Sequence, residues 1–264
     1  MVLAQKHLKK RSAAKISMEW MDGHAHFFDV QNPVEALQKM KDTGVIGAVS
    51  CGVDGASNQK ALLQQKRFPK ILASIGLHPE TVLLQPETKN RSGILQIKKN
   101  ISNAAGIGEI GLDFKYAESP EKQKKQARWF EELLALASEF EKPVFVHSRR
   151  AVYESLLRLE QFEIKKALIH WFDGTPEQLD RIQKNGWKIS VGPAVFSQKK
   201  IQRIAQSVSL DSPVLETDCP IPFGAVPSDP SWIPRVGERV AELRGEPVEK
   251  IAQKTLQNIQ CLLK

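Results

Sequence analysis

The chain has few cysteines. Cys51, Cys219 and Cys261 are far apart, and none forms a Cys-x-x-Cys pair. That excludes a disulfide framework and a structural zinc knuckle, and three unpaired thiols suit a reducing, cytoplasmic setting. No run of about 18 consecutive apolar residues occurs, which argues against a membrane-spanning helix. The N-terminal segment lacks the continuous apolar stretch of a secretory signal. Internal repeats and low-complexity tracts are absent, so a solenoid is not expected. Histidine is also scarce, with six in the chain, and their placement is therefore informative.

What is present suits a soluble globular protein. Apolar residues make up 41% and charged residues 26% of 264 positions, and a barrel of about 250 residues routinely folds as one unit. The formal net charge is +8, but Lys6, Lys9, Lys10, Arg11 and Lys15 carry five of those charges in a segment without acids. Residues 1–17 are therefore expected to be a basic flexible tail, and residues 18–264 one catalytic domain. Such a tail could hold phosphate backbones through counterion release, or simply be solvated.

Short β-rich runs alternate with helical periodicity along the rest of the chain. The candidate strands are Glu19 to Asp29, Val45 to Val53, Ile71 to Leu77, Gly106 to Asp113, Pro143 to Arg149, Ala167 to Phe172, Trp187 to Pro193 and Val214 to Asp218. Between them lie helix starts such as Asn32-Pro33 and the capping pattern Thr175-Pro176-Glu177-Gln178. Apolar stripes follow at three-to-four spacing, as in Phe130, Leu134 and Ala137, or Ile251, Leu256, Ile259 and Leu263. Strand and helix alternation implies parallel pairing with right-handed crossovers. Eight such units predict a single (β/α)8 TIM barrel. Pro220 to Pro234 is turn-rich and reads as a long loop after the last strand.

Five histidines fall at the C-terminal ends of these strands: His24 and His26, His78, His147 and His170. In a barrel those ends build the active site. His24 and His26 are two residues apart, so on a strand both imidazoles point the same way and can chelate one cation. Asp22 shares that face as a candidate acceptor for an imidazole N–H. Glu109 stands in an apolar, glycine-flanked strand, where a buried carboxylate needs a partner: a metal, or an ion pair with Lys115 or Arg149. Asp218 ends the eighth strand as a ligand or as a turn former, and Glu216 on the same face suits polar contacts deeper in the barrel. Together, four histidines, Glu109 and Asp218 offer six ligands around a common axis, a number that suits two divalent ions bridged by a carboxylate.

These residues resemble the TatD-like metal-dependent hydrolase family of the amidohydrolase-like barrel superfamily. The matching pieces, in order, are Asp22-Gly-His-Ala-His26, Ile75-Gly-Leu-His-Pro79, Gly108-Glu-Ile-Gly-Leu-Asp113, Pro143-Val-Phe-Val-His-Ser-Arg149, His170-Trp-Phe-Asp-Gly174 and Leu215-Glu-Thr-Asp-Cys-Pro220. The resemblance implies that His24, His26, Glu109 and Asp218 hold one metal and that Glu109, His147 and His170 hold the second. It also implies a deoxyribonuclease or phosphodiesterase that uses divalent zinc, magnesium or manganese. Trp171 and Asp173 stand where smaller residues are expected, and Ser190-Val-Gly-Pro193 matches the seventh-strand pattern loosely.

On this reading DNA or another phosphodiester is the partner. Asp218 orients the attacking water and takes its proton. His78 and Arg149 contact the phosphate, although Arg149 could instead pair with Glu109 or Asp113, and His78 could serve only its loop. Cys219 should face away from the centre. Two alternatives remain open: hydrolysis of an amide or ester at the same centre, and a non-enzymatic nucleic-acid-binding role through the tail with Lys122, Lys124, Lys125 and Arg128. The second is disfavoured because that run suits a solvated helix face.

Overall fold

The computed structural model describes residues 18–264. Eight parallel strands pair in chain order: β1 (Trp20–Ala25), β2 (Val45–Cys51), β3 (Ile71–Ile75), β4 (Gly106–Asp113), β5 (Val144–Arg149), β6 (Ala167–Ile169), β7 (Lys188–Val191) and β8 (Pro213–Leu215). The ring closes where the end of β1 meets the segment after β8. There Asp218 N donates to His24 O (3.1 Å) and His26 N to Cys219 O. The protein is a (β/α)8 TIM barrel.

Helices cover the outside of the sheet: α1 (Pro33–Asp42), α2 (Gly55–Arg67), α3 (Pro79–Leu84), α4 (Glu87–Asn100), α5 (Pro120–Glu139), α6 (Val152–Gln161), α7 (Pro176–Lys184) and α8 (Lys199–Ser207). Their starts follow the expected chemistry. Asn32 accepts from Glu35 N ahead of Pro33, and Thr175 and Gln178 cap each other reciprocally. The stripe of α5 buries Trp129, Phe130, Leu133, Leu134 and Ala137 against the barrel wall. Full burial of such a side chain contributes roughly 1.5–3 kcal/mol.

The strands are shorter than the apolar runs suggest. β1 stops at Ala25 and Phe27–Asp29 forms a 3-10 turn, while β6 ends at Ile169 and β8 at Leu215. In each case the apolar run continues into the residues that leave the sheet at the barrel mouth. The segment after β8 also differs from a plain loop. It contains a small hairpin, β9 (Pro222–Phe223) with β10 (Val226–Pro227), and then α9 (Ile233–Arg244) and α10 (Val248–Leu263). α9 escapes a sequence reading because Pro234 and Gly237 interrupt its pattern. Gly237 is needed there, because a Cβ would lie 2.3 Å from the Trp20 ring.

The expected basic tail, residues 1–17, lies outside the described residues. Among the described residues no helix is long and apolar enough to cross a membrane. Lys122 and Lys124 are exposed on the outer face of α5, and Arg128 pairs with Glu87 at 2.6 Å. That arrangement is the solvated face expected of such a run.

Candidate metal centre

Glu109 lies in β4, a strand buried along its whole length. Gly111, at φ 142, lets β4 approach β5 closely, since a Cβ there would lie 2.0 Å from His147 O. The two oxygens of the Glu109 carboxylate face different groups. Oε2 is 3.6 Å from His24 Nε2 and 3.4 Å from His26 Nε2. Asp218 Oδ1 completes that side, 3.5 Å from His24 Nε2 and 3.2 Å from His26 Nε2. Oε1 is 2.9 Å from His147 Nδ1, 3.0 Å from His170 Nε2 and 3.6 Å from His78 Nε2. The structure thus brings together all six residues expected as ligands, with one carboxylate between two sets of donors.

The far nitrogens of His26, His147 and His170 face acceptors. His26 Nδ1–H donates to Cys51 O (2.8 Å), and His147 Nε2 lies 2.9 Å from Asp113 Oδ2. His170 Nδ1 faces Glu216 Oε2 at 3.4 Å. The acceptors on the outer nitrogens of His26 and His147 place protons there and turn their inner lone pairs toward Glu109. His78 is wired the opposite way. It caps α3, with its Nδ1 accepting from Glu80 N at 3.2 Å. Its proton therefore sits on Nε2, the nitrogen facing Glu109, so His78 offers the centre a hydrogen-bond donor and no lone pair.

The donor set fits divalent cations. His24 Nε2 and Asp218 Oδ1 are buried and have no hydrogen-bond partner, a costly state that a bound cation relieves. Three groups of imidazole and carboxylate atoms are close enough to share an ion: His24, His26 and Glu109; His78, Glu109 and His147; and His24, His170 and Asp218, which spans the two sides. By its wiring, His78 belongs to the second group as a donor only.

Burial alone would push the Glu109 carboxyl up, but the neighbouring His170, His78 and His147 imidazoles hold it well below the usual carboxylate range. Asp218 is likewise depressed against its burial by His24 and His26. Burial and the His24 imidazole both lower His170, yet Glu109 and Glu216 prevail and raise it to about 9, so an ion that takes its inner nitrogen displaces a proton there. Burial takes His78 down to about 3, which keeps its ring neutral. The carboxylates are therefore ionised near neutrality, as cation binding requires.

Several expectations are redirected. Asp22 accepts from Thr217 N (3.1 Å), Thr217 Oγ1 and His24 N (3.2 Å), and no imidazole N–H reaches it. Its task is the β1–β8 seam. Among the described residues neither Lys115 nor Arg149 pairs with Glu109, which the imidazoles surround instead. Arg149 is exposed at the rim of a cavity of about 760 Å³ that holds the centre. Glu216 is buried and accepts from Trp171 N (3.0 Å) besides facing His170. Cys219 is buried and does not line the cavity. Asp113, the partner of His147, was read only as a possible mate for Arg149. The signal was there, since Asp113 and Glu109 are four apart on one strand and share a face.

The chain as a whole is similar to known proteins. The model of the TatD related DNase family covers residues 21–264, and the chain belongs to that family. It is 29% identical over 254 residues, 92% of this chain and 98% of the relative, to the uncharacterized metal-dependent hydrolase YabD of Bacillus subtilis. Identity to the human deoxyribonuclease TATDN3 is 28% over 255 residues, 90% of this chain and 92% of the relative. The crystal structure of the TatD homologue YjjV from Escherichia coli superposes with a TM-score of 0.84 at 26% identity, over 94% of this chain and 98% of that one.

Proposed function

We propose that residues 18–264 form one hydrolase domain that cleaves phosphodiester bonds of DNA in the cytoplasm with two divalent ions. The observation that carries this reading is Glu109, whose two oxygens face separate donor sets. His24, His26, Glu109 and Asp218 would hold one ion, and Glu109, His147 and His170 the other. Four imidazoles among six ligands favour zinc or another imidazole-preferring transition metal over magnesium. The human relative's name as a deoxyribonuclease supports DNA as the substrate, and three free cysteines support a reducing compartment.

Bound ions supply Lewis acidity, activating a water near neutral pH and neutralising charge on phosphoryl oxygens. The chain's own groups do the rest. Asp218, ionised and lining the cavity, orients the water and accepts its proton as the water oxygen attacks phosphorus; the P–O bond to the ester oxygen opposite breaks, and that oxygen departs and takes a proton from solvent. His78 directs Nε2–H inward to donate to a nonbridging oxygen. Arg149 at the rim presents a planar fork to the phosphate. Cys51 O, Asp113 and Glu216 keep the ligand imidazoles aimed while charge shifts.

The test is a substrate panel of single-stranded DNA, duplex DNA, a small phosphodiester and carboxylic esters, run on metal-loaded, chelator-stripped and reloaded protein. DNA and diester turnover should vanish on stripping and return on reloading. Full DNA turnover by protein shown metal-free by elemental analysis would overturn the reading, and turnover confined to carboxylic esters would reassign the substrate.

A further inference from the structure

Among the described residues, five non-glycine residues have left-handed backbones: Glu141, Arg150, Glu163, Trp171 and Asp218. Two are routine. Glu141 and Glu163 directly follow the C-caps of α5 and α6, Phe140 and Phe162, where helices commonly end this way. The other three follow barrel strands at the mouth. Asp218 is a residue type that tolerates this region, whereas tryptophan at φ 45 is an outlier. Such strain persists only where the surroundings impose it, and it clusters at functional sites.

The surroundings here are specific. Trp171 N donates to Ser190 Oγ at 2.7 Å and to Glu216 Oε1 at 3.0 Å, and both acceptors are buried. The other oxygen of Glu216 faces His170 Nδ1 at 3.4 Å. One carboxylate thus holds the backbone of Trp171 and lies beside the ring of His170 before it. The next residue, Phe172, is locked in the core. The indole packs against that core yet stays partly open, and it lines the cavity that holds Glu109 and Asp218. Phe28, Tyr116 and Ile221 line the same cavity. Flat apolar walls above a charged floor do nothing for a phosphate, but they suit a ligand with a planar ring next to its phosphate.

Resting on the phosphodiesterase reading, we infer that Trp171 is a stacking platform for the nucleobase beside the scissile phosphate, making it a specificity residue for nucleic acid over base-free diesters. Stacking is sequence-tolerant, because every base has a π-face.

The test uses metal-loaded protein, an oligothymidylate, the same oligonucleotide with its terminal base removed, and methyl p-nitrophenyl phosphate as a base-free diester. On the oligothymidylate, Trp171→Ala should raise KM by about five- to a hundredfold. Its effect on the base-free diester should be far smaller, and Trp171→Phe should recover most of the loss. In wild-type protein, removing the terminal base should raise KM to a similar extent, a comparison that stands even if the alanine variant folds poorly. Chelator-treated wild type should show tryptophan quenching on oligothymidylate binding that Trp171→Phe lacks. Equal losses on all substrates would make Trp171 structural and overturn the inference, as would an unchanged oligonucleotide KM. Wild-type protein that cleaves no diester would instead reject the phosphodiesterase reading, and the quenching titration would then decide base binding alone.

Discussion

Asp218 reaches the centre from a left-handed backbone at φ 56, three residues beyond the end of β8. Asparagine tolerates that conformation and keeps one coordinating oxygen, so Asp218→Asn removes the base and little else. Its kcat should fall about 10²- to 10⁴-fold with metal content retained. Normal turnover in metal-replete Asp218→Asn, measured in steady state, would reduce Asp218 to a turn former. Asp113 makes a different prediction. It receives His147 Nε2–H and also accepts from Lys115 N at 2.8 Å. Asp113→Asn should therefore misalign His147 and cost about 10- to 100-fold in metal affinity or activity, readable by competition with a chromogenic chelator. At this scale the sequence reading picked out six residues that the fold gathers around Glu109, but it misjudged what supports them. Ligands are marked by residue type and strand position, whereas the partner of an imidazole's outer nitrogen depends on neighbouring strands. A backbone acceptor such as Cys51 O leaves no side-chain trace at all.

Among the elements, the seam between β1 and β8 matters most for function, because it sets His24 and His26 against Asp218. Asp22 fastens it through Thr217 N and Thr217 Oγ1, and Gly23 allows the approach, since a Cβ there would lie 2.2 Å from Val214 Cγ1. Thr217→Val keeps the shape and removes one donor to a buried carboxylate. It should destabilise the fold by about 1–3 kcal/mol, measured as a shift in the urea midpoint, and unchanged stability would deny Asp22 its fastening role. The eight strands were legible because each is a short apolar run preceding a helical period. Their C-terminal limits were not, since residues such as His170 and Thr217 continue the run after pairing has stopped. The hairpin and α9 were hidden for another reason. Their proline and glycine content reads as loop, and only packing against Trp20 explains why a glycine stands within a helix.

For the whole molecule, charge is divided unevenly between the tail and the rest. None of the six candidate ligands lies in residues 1–17, which precede β1, so deleting them should leave kcat on a small phosphodiester unchanged. DNA affinity should fall modestly, each lost phosphate contact reducing the slope of log K against log salt by about 0.9. Lost turnover of the small substrate in the truncated protein would place the tail in the active site. Barrel closure itself was legible as eight strand–helix units in order, because a ring of parallel strands admits few other topologies. The account's central claim is a centre for two ions divided by Glu109, and calorimetric titration of chelator-stripped protein with manganese or zinc tests it most directly. Wild-type protein should take up two ions per chain, and the double variant His24→Ala with His26→Ala should take up one, held by Glu109, His147 and His170. A single ion in the wild type, or two in the double variant, would contradict the account.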